Sequence, residues 1–121
     1  MKNLPLNQTI YTAIDAANHA NECATGNERS PYSILIAREV IKMVAKYLPI
    51  AVQDPSNEEA RYYLTYASLI AGTGIDNVRC HVTHVLEHVL SVLIQDLPHG
   101  KGLAMSDIFL FFSNVFLILL F

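Results

Sequence analysis

Four of the five histidines of this 121-residue chain fall between Cys80 and His99, in Cys80-His81-Val82-Thr83-His84-Val85-Leu86-Glu87-His88 and then Pro98-His99-Gly100. The fifth, His19, follows Asp15 by four residues. Positions i and i+4 of a helix lie only about 40° apart around the axis, so Asp15/His19 and His84/His88 each present two side chains to one point. One carboxylate with several imidazoles suits a divalent transition ion such as iron or zinc; calcium and magnesium prefer all-oxygen shells. A single pair of this kind is ordinarily two neighbours on a helix surface, the carboxylate accepting the ring proton. Two pairs and a histidine in a Pro-His-Gly turn together favour a metal.

His81, His84 and His88 have the spacing i, i+3, i+7, which places them on one face of a helix. Three imidazoles cannot share a dry core without partners, because each unpaired buried ring nitrogen costs about 1–3 kcal/mol. A metal, a substrate-filled cleft or surface water could face them, and Asp15 and Glu22 could satisfy some of them. Glu87 is expected to point away from the stripe, into solvent. Cys80 could flank a metal, though a buried thiol on a helix face is the ordinary role for such a residue.

These residues must be carried by helices, since the chain shows no strand-like alternation. A first helix is expected from about Thr9 to Cys23, ended by Gly26-Asn27. Ser30-Pro31 supplies an N-cap and an N1 proline for a second, whose apolar stripe takes in Ile34, Ala37, Ile41, Val44, Ala45 and Leu48, with Pro49 near its end. Ser56 and Glu59 form a Ser-x-x-Glu capping box for a third, with Ala60, Tyr63, Leu64, Ala67 and Ile70 inward and Gly72-Thr73-Gly74 as an interruption. The fourth, from about Asp76 to Ile94, bears the histidines, and Pro98-His99-Gly100 turns His99 back toward them. The expected fold is an all-α helical bundle.

Composition bounds the surroundings. The length suits one domain. Eight Lys+Arg against eleven Asp+Glu give a net charge of −3, with no basic patch, so nucleic acid is not an expected partner. Two cysteines without Cys-x-x-Cys spacing, and an opening Met1-Lys2-Asn3-Leu4-Pro5 lacking an apolar core, imply reduced thiols in the cytoplasm. The uncharged run from Ile108 to Phe121 is fourteen residues, short of the about 20 that span a bilayer. A membrane role is therefore not expected, and a core helix or a homo-oligomer contact is. A membrane-surface segment or a shifted reading frame are the lesser alternatives for the tail.

The ordered segments Asp15-Ala16-Ala17-Asn18-His19-Ala20-Asn21-Glu22, Ala67-Ser68-Leu69-Ile70-Ala71-Gly72, Asn77, His84-Val85-Leu86-Glu87-His88-Val89-Leu90-Ser91 and Pro98-His99-Gly100-Lys101-Gly102-Leu103-Ala104 resemble the iron-containing (group III) alcohol dehydrogenase family. The resemblance implies the dehydroquinate synthase-like C-terminal helical domain of that family over residues 1–105, followed by a divergent apolar tail over 106–121. It implies Asp15, His19, His84 and His99 as metal ligands for Fe2+, or Zn2+ in its place. His88 corresponds to the second histidine of the His-x-x-x-His pair, a catalytic residue beside the substrate that is linked to proton transfer. The implied reaction is hydride transfer between a small alcohol or aldehyde and NAD(P), the metal polarising the substrate oxygen.

The family's α/β nucleotide-binding half has no counterpart here, and His81 stands where the family tends to have a small residue. Two expectations follow. The chain is the metal-bearing part of such an oxidoreductase, inactive in isolation; or it is a truncated, non-catalytic helical module that binds metal or self-associates.

Overall fold

A computed structural model describes residues 4–120, with side chains through residue 110. Five helices and no strand occur among them: α1 (Leu6–Thr25), α2 (Pro31–Gln53), α3 (Glu58–Ile75), α4 (Val82–Leu93) and α5 (His99–Leu120). The all-α expectation holds. α1, α2 and α3 pack mutually, α5 lies on α1, and α4 lies on α5. Alanines line the three-helix junction, among them Ala13, Ala16 and Ala20 of α1, Ala37 of α2, and Ala60, Ala67 and Ala71 of α3. Their small side chains let the axes approach closely, while Val40, Val44 and Leu64 fill the remaining space.

Local chemistry explains where the elements begin and end. Ser30 caps α2, its hydroxyl accepting from the Ser33 N–H at 3.2 Å while Ser33 Oγ accepts from the Ser30 N–H at 2.8 Å. The helix continues through Pro49 to Gln53, and Ala51 beyond the proline is fully buried. Its inner stripe is rotated from the expected one: Ile36, Val40 and Tyr47 are buried and Ile41 faces out. The expected Ser56 cap is replaced by Asn57, whose Oδ1 accepts from the Ala60 N–H, because the Ser56 hydroxyl is bonded to Asp54. Nor do Gly72 and Gly74 break α3. Gly74 is buried where a Cβ would lie 3.0 Å from Cys23 Sγ, so it serves close packing against α1.

α4 starts six residues later than its periodicity suggests, at Val82, and α5 runs unbroken from His99 through Ser106 to Leu120. The expectation of a core or oligomer contact by the apolar tail falls largely on side chains 111–121, outside those described. Among the described residues no helix is long and apolar enough to cross a membrane.

One close approach fixes α5 on α1. Gly100 sits against the Tyr11 backbone, where an added Cβ would lie 2.7 Å from Tyr11 C and Cα and nearer still to its carbonyl oxygen. Because backbone cannot swing aside as a flexible side chain can, Gly100→Ala must push α5 away, and overpacking of this kind costs about 1–3 kcal/mol. Gly72, by contrast, has nothing within 4 Å of an added Cβ. Gly72→Ala should stabilise by about 0.5–1 kcal/mol through helix propensity alone. Urea unfolding of the two variants should shift the midpoint in opposite directions.

Candidate metal centre

α1 supplies an inward polar row at i, i+4 and i+7: Asp15, His19 and Glu22. α4 brings His84 over it, and the first residue of α5, His99, arrives from the side through the Gly100 contact. Three imidazoles thereby turn Nε2 toward one atom. Asp15 Oδ1 lies 3.2 Å from His19 Nε2, 3.5 Å from His84 Nε2 and 3.7 Å from His99 Nε2. The His19 and His84 rings stack at 4.4 Å, and the His84 and His99 centroids are 5.5 Å apart.

Each ring also has an outer neighbour at Nδ1. Glu22 Oε2 is 2.9 Å from His84 Nδ1, Cys80 Sγ is 3.7 Å from His19 Nδ1, and Glu87 Oε2 is 2.5 Å from His99 Nδ1. This inner and outer arrangement is the one metal-ligating histidines ordinarily show.

Whether the residues fit a cation can be tested on the pocket itself. Asp15 Oδ1 and His84 Nε2 are both buried, and neither has an aligned hydrogen bond although they face each other. Donors bound tetrahedrally at about 2.0–2.2 Å from one ion lie about 3.3–3.6 Å apart, close to the separations from Asp15 Oδ1. Asp15, His84 and His99 offer donor atoms all within 4.8 Å of one another, and His19 groups in the same way with His84 and Cys80. The residues fit a divalent transition ion.

Electrostatics reinforce the cluster. Burial acts to raise the pKa of Asp15, but His84, His19 and His99 outweigh it and hold the carboxyl below its ordinary value. Burial likewise opposes charge on His84, yet Asp15 and Glu22 lift it to about 9. Burial dominates at His19 and lowers it. Glu22, despite burial, is held down at about 2 by His84 and by the backbone N–H groups of His81 and His84. The Cys80 thiol is pushed up to about 11, first by burial and then by the nearby acids, so it stays protonated near neutrality.

Three sequence expectations change. His81 does not share a face with His84 and His88: it precedes α4, its Nε2 lying 3.2 Å from the Glu22 carbonyl. The reason is Glu22, whose carboxylate accepts from the N–H groups of His81 (3.0 Å), Thr83 (2.9 Å) and His84 (3.3 Å) and so fixes the helix start from another helix. Glu87 is not solvated; it is fully buried between α4 and α5. Cys80 lies in the loop before α4, partly exposed, rather than on a helix face. His88, with a side chain 71% exposed, stands outside the Asp15 cluster, its ring 6.5 Å from that of His84 and 5.9 Å from that of His99. The role of Glu87 had one sequence signal, its spacing of three from His84 and four from Ser91.

Comparison with known proteins agrees with this architecture. The model of the Fe-containing alcohol dehydrogenase family, C-terminal, matches residues 9–113. The chain is 50% identical over 103 residues to a long-chain primary alcohol dehydrogenase of Thermoanaerobacter ethanolicus, covering 85% of this chain and 26% of that protein. It is 35% identical over 96 residues to the 1,3-propanediol dehydrogenase of Klebsiella pneumoniae, covering 79% and 24%. The crystal structure of a 1,3-propanediol oxidoreductase superposes with a TM-score of 0.81 at 36% identity, over 86% of this chain and 27% of that one. A sulfoacetaldehyde reductase from Bifidobacterium kashiwanohense, solved with NAD+, gives 0.82 at 33%, over 89% and 29%. The chain thus spans about a quarter of the length of the curated relatives it matches. On both sequence and fold, the chain belongs to the Fe-containing alcohol dehydrogenase family, as part of its C-terminal helical domain.

Proposed function

We propose that Asp15, His19, His84 and His99 bind one divalent ion, Fe2+ or Zn2+ in its place, and that the chain is the metal-bearing part of an NAD(P)-dependent alcohol dehydrogenase. The observation that carries this is the convergence of three Nε2 atoms on the buried, unpartnered Asp15 Oδ1. When bound, the ion would act as a Lewis acid on the oxygen of a small alcohol or aldehyde while hydride passes to or from the nicotinamide. Asp15 and the three imidazoles hold the ion; Glu22 orients His84 and keeps its Nδ1 engaged. His88 lies on the open side of the cluster, free of the Asp15 contacts, and is suited to hold or pass a proton at its ring for a substrate approaching there.

These residues do not by themselves offer a dinucleotide cradle. Pyrophosphate is ordinarily held by glycine-rich backbone at a helix N-terminus. Here Gly72 and Gly74 lie within α3, and Gly100 and Gly102 are packed against Tyr11 and Glu87. The matched segment is only about a quarter of each relative, and hydride transfer needs the nicotinamide held within about 3–3.5 Å of the substrate carbon. We therefore assign cofactor binding to parts beyond these 121 residues.

Three outcomes test the reading. His84→Ala should abolish stoichiometric binding of Fe2+ or Zn2+ in a calorimetric titration, whereas His81→Ala should weaken it little; equal binding by the His84→Ala protein would overturn the ligand set. Metal and proton also compete for His84. Its folded pKa is raised to about 9, so its stabilising charge is complete below 6.5 and is lost as pH rises through about 9. Metal uptake should accordingly release a proton below that value, and apparent affinity should climb by about tenfold per pH unit toward it. Finally, the purified chain given ferrous iron, NAD or NADP and a primary alcohol should form no reduced cofactor above background. Steady turnover, lost on His88→Ala, would show that the chain is an enzyme by itself.

A further inference from the structure

Glu87 is a fully buried acid outside the ligand set. Its Oε1 accepts the Ser91 hydroxyl one turn along α4, and α5 closes over it at Gly102, where an added Cβ would come 2.8 Å from Glu87 Cγ. The carboxylate is therefore held in one place by two helices. Its Oε2 has no aligned hydrogen bond, although His99 Nδ1 is 2.5 Å away and His88 Nε2 4.0 Å away. A buried carboxylate oxygen without a donor is costly, so a nearby ring N–H gains by turning toward it.

His99 is the ring that most needs such a partner. Its side chain is 43% exposed, against 5% for His84 and 24% for His19, so packing alone does not fix its rotation. It stands at the first residue of α5, and its Nε2 is the farthest of the three from Asp15 Oδ1. The two histidines with closer Nε2 atoms already have hydrogen-bond partners at Nδ1, Glu22 and Cys80.

We propose that Glu87 is the positioning residue for His99: its Oε2 accepts the Nδ1–H, selects that tautomer, and leaves the Nε2 lone pair aimed at the pocket around Asp15. The proposal rests on the ligand set above, and it adds a residue whose side chain touches no ion. It also gives the short Glu87–His99 contact a role: a modest turn of the exposed ring aligns the N–H with Oε2 and keeps Nε2 in the pocket. A cation that engages Nε2 and a carboxylate that engages Nδ1 favour the same ring orientation, so each strengthens the other.

The test uses the whole chain with Co2+ as the probe, in wild type, Glu87→Gln and Glu87→Ala. Long-range proton–nitrogen spectra of the imidazoles read the His99 tautomer without metal, and the visible Co2+ bands read the ligand set with it. The wild type should show His99 protonated at Nδ1. Glu87→Ala should give a mixture of tautomers, altered Co2+ bands and an affinity lower by about 10–100-fold, the usual effect of removing such an outer partner. Glu87→Gln keeps an acceptor oxygen and nearly the same shape, so it should retain the tautomer and lose less affinity; Glu87→Leu, which fills the space without offering an acceptor, should behave as Glu87→Ala does and carries the test, with the same overturning result, if the alanine variant does not fold. Unchanged tautomer, bands and affinity in Glu87→Ala would overturn the proposal. If the wild type takes up no Co2+, the ligand set fails instead, and the His99 tautomer in the metal-free chain still decides whether Glu87 sets the ring.

Discussion

The carboxylate of Glu22 is the joint on which the arrangement turns. It is 1% exposed, and burying an unpaired carboxylate would be prohibitive. It is tolerated because four donors surround it: three backbone N–H groups at the start of α4 and the Nδ1 of His84. The first turn of any helix presents N–H groups that its own backbone cannot satisfy, with the positive end of the dipole behind them. α4 has no side-chain cap of its own, so an acid from α1 does that work. One interaction thereby sets where α4 begins, how it is aimed at α1, and which way the His84 ring faces.

From that joint the rest of the pocket follows. With His84 Nδ1 engaged by Glu22, its Nε2 is directed at Asp15. The same helix start draws the preceding loop across α1 and puts the Cys80 thiol beside His19. A second polar joint works in parallel, Asn18 donating to Asp107 Oδ2 at 2.5 Å and the Thr83 hydroxyl to Asp107 Oδ1 at 3.3 Å. It ties α1, α4 and α5 together on the side of the cluster away from the alanine-lined core. The core supplies stiffness: α1 is clamped between α2 and α3 through residues too small to shift, so the row of Asp15, His19 and Glu22 is carried on the most enclosed helix of the group.

Arg61 illustrates how the scaffold handles a buried charge away from the pocket. Nearly buried, it donates to the carbonyls of Pro55 and Leu4 and to the Thr9 hydroxyl, pinning the chain before α1 onto α3. Those neutral acceptors satisfy the guanidinium without bringing another carboxylate close to the centre.

What the sequence determined by itself was whatever depends on short spacing. The first four helical segments, the Ser30-Pro31 start of α2, and the juxtaposition of Asp15 with His19 are local, because a helix places i and i+4 together wherever it sits, whereas the sequence marks only a turn at His99, where α5 begins. The ordered motifs from Asp15 to Ala104 also sufficed to identify the family. The tertiary structure decided everything that depends on a partner distant in the chain. Glu22 takes the N–H groups of residues about sixty positions on, so α4 starts at Val82 and His81 leaves the face that periodicity assigned to it. Glu87 is buried because α5 returns over it at Gly102, and His99 reaches Asp15 because Gly100 lets α5 touch the backbone of α1. Periodicity states which residues share a face, but only packing states which face is covered and by what. For an acid such as Glu87 that difference turns a side chain expected in solvent into a buried hydrogen-bond acceptor beside the histidine cluster.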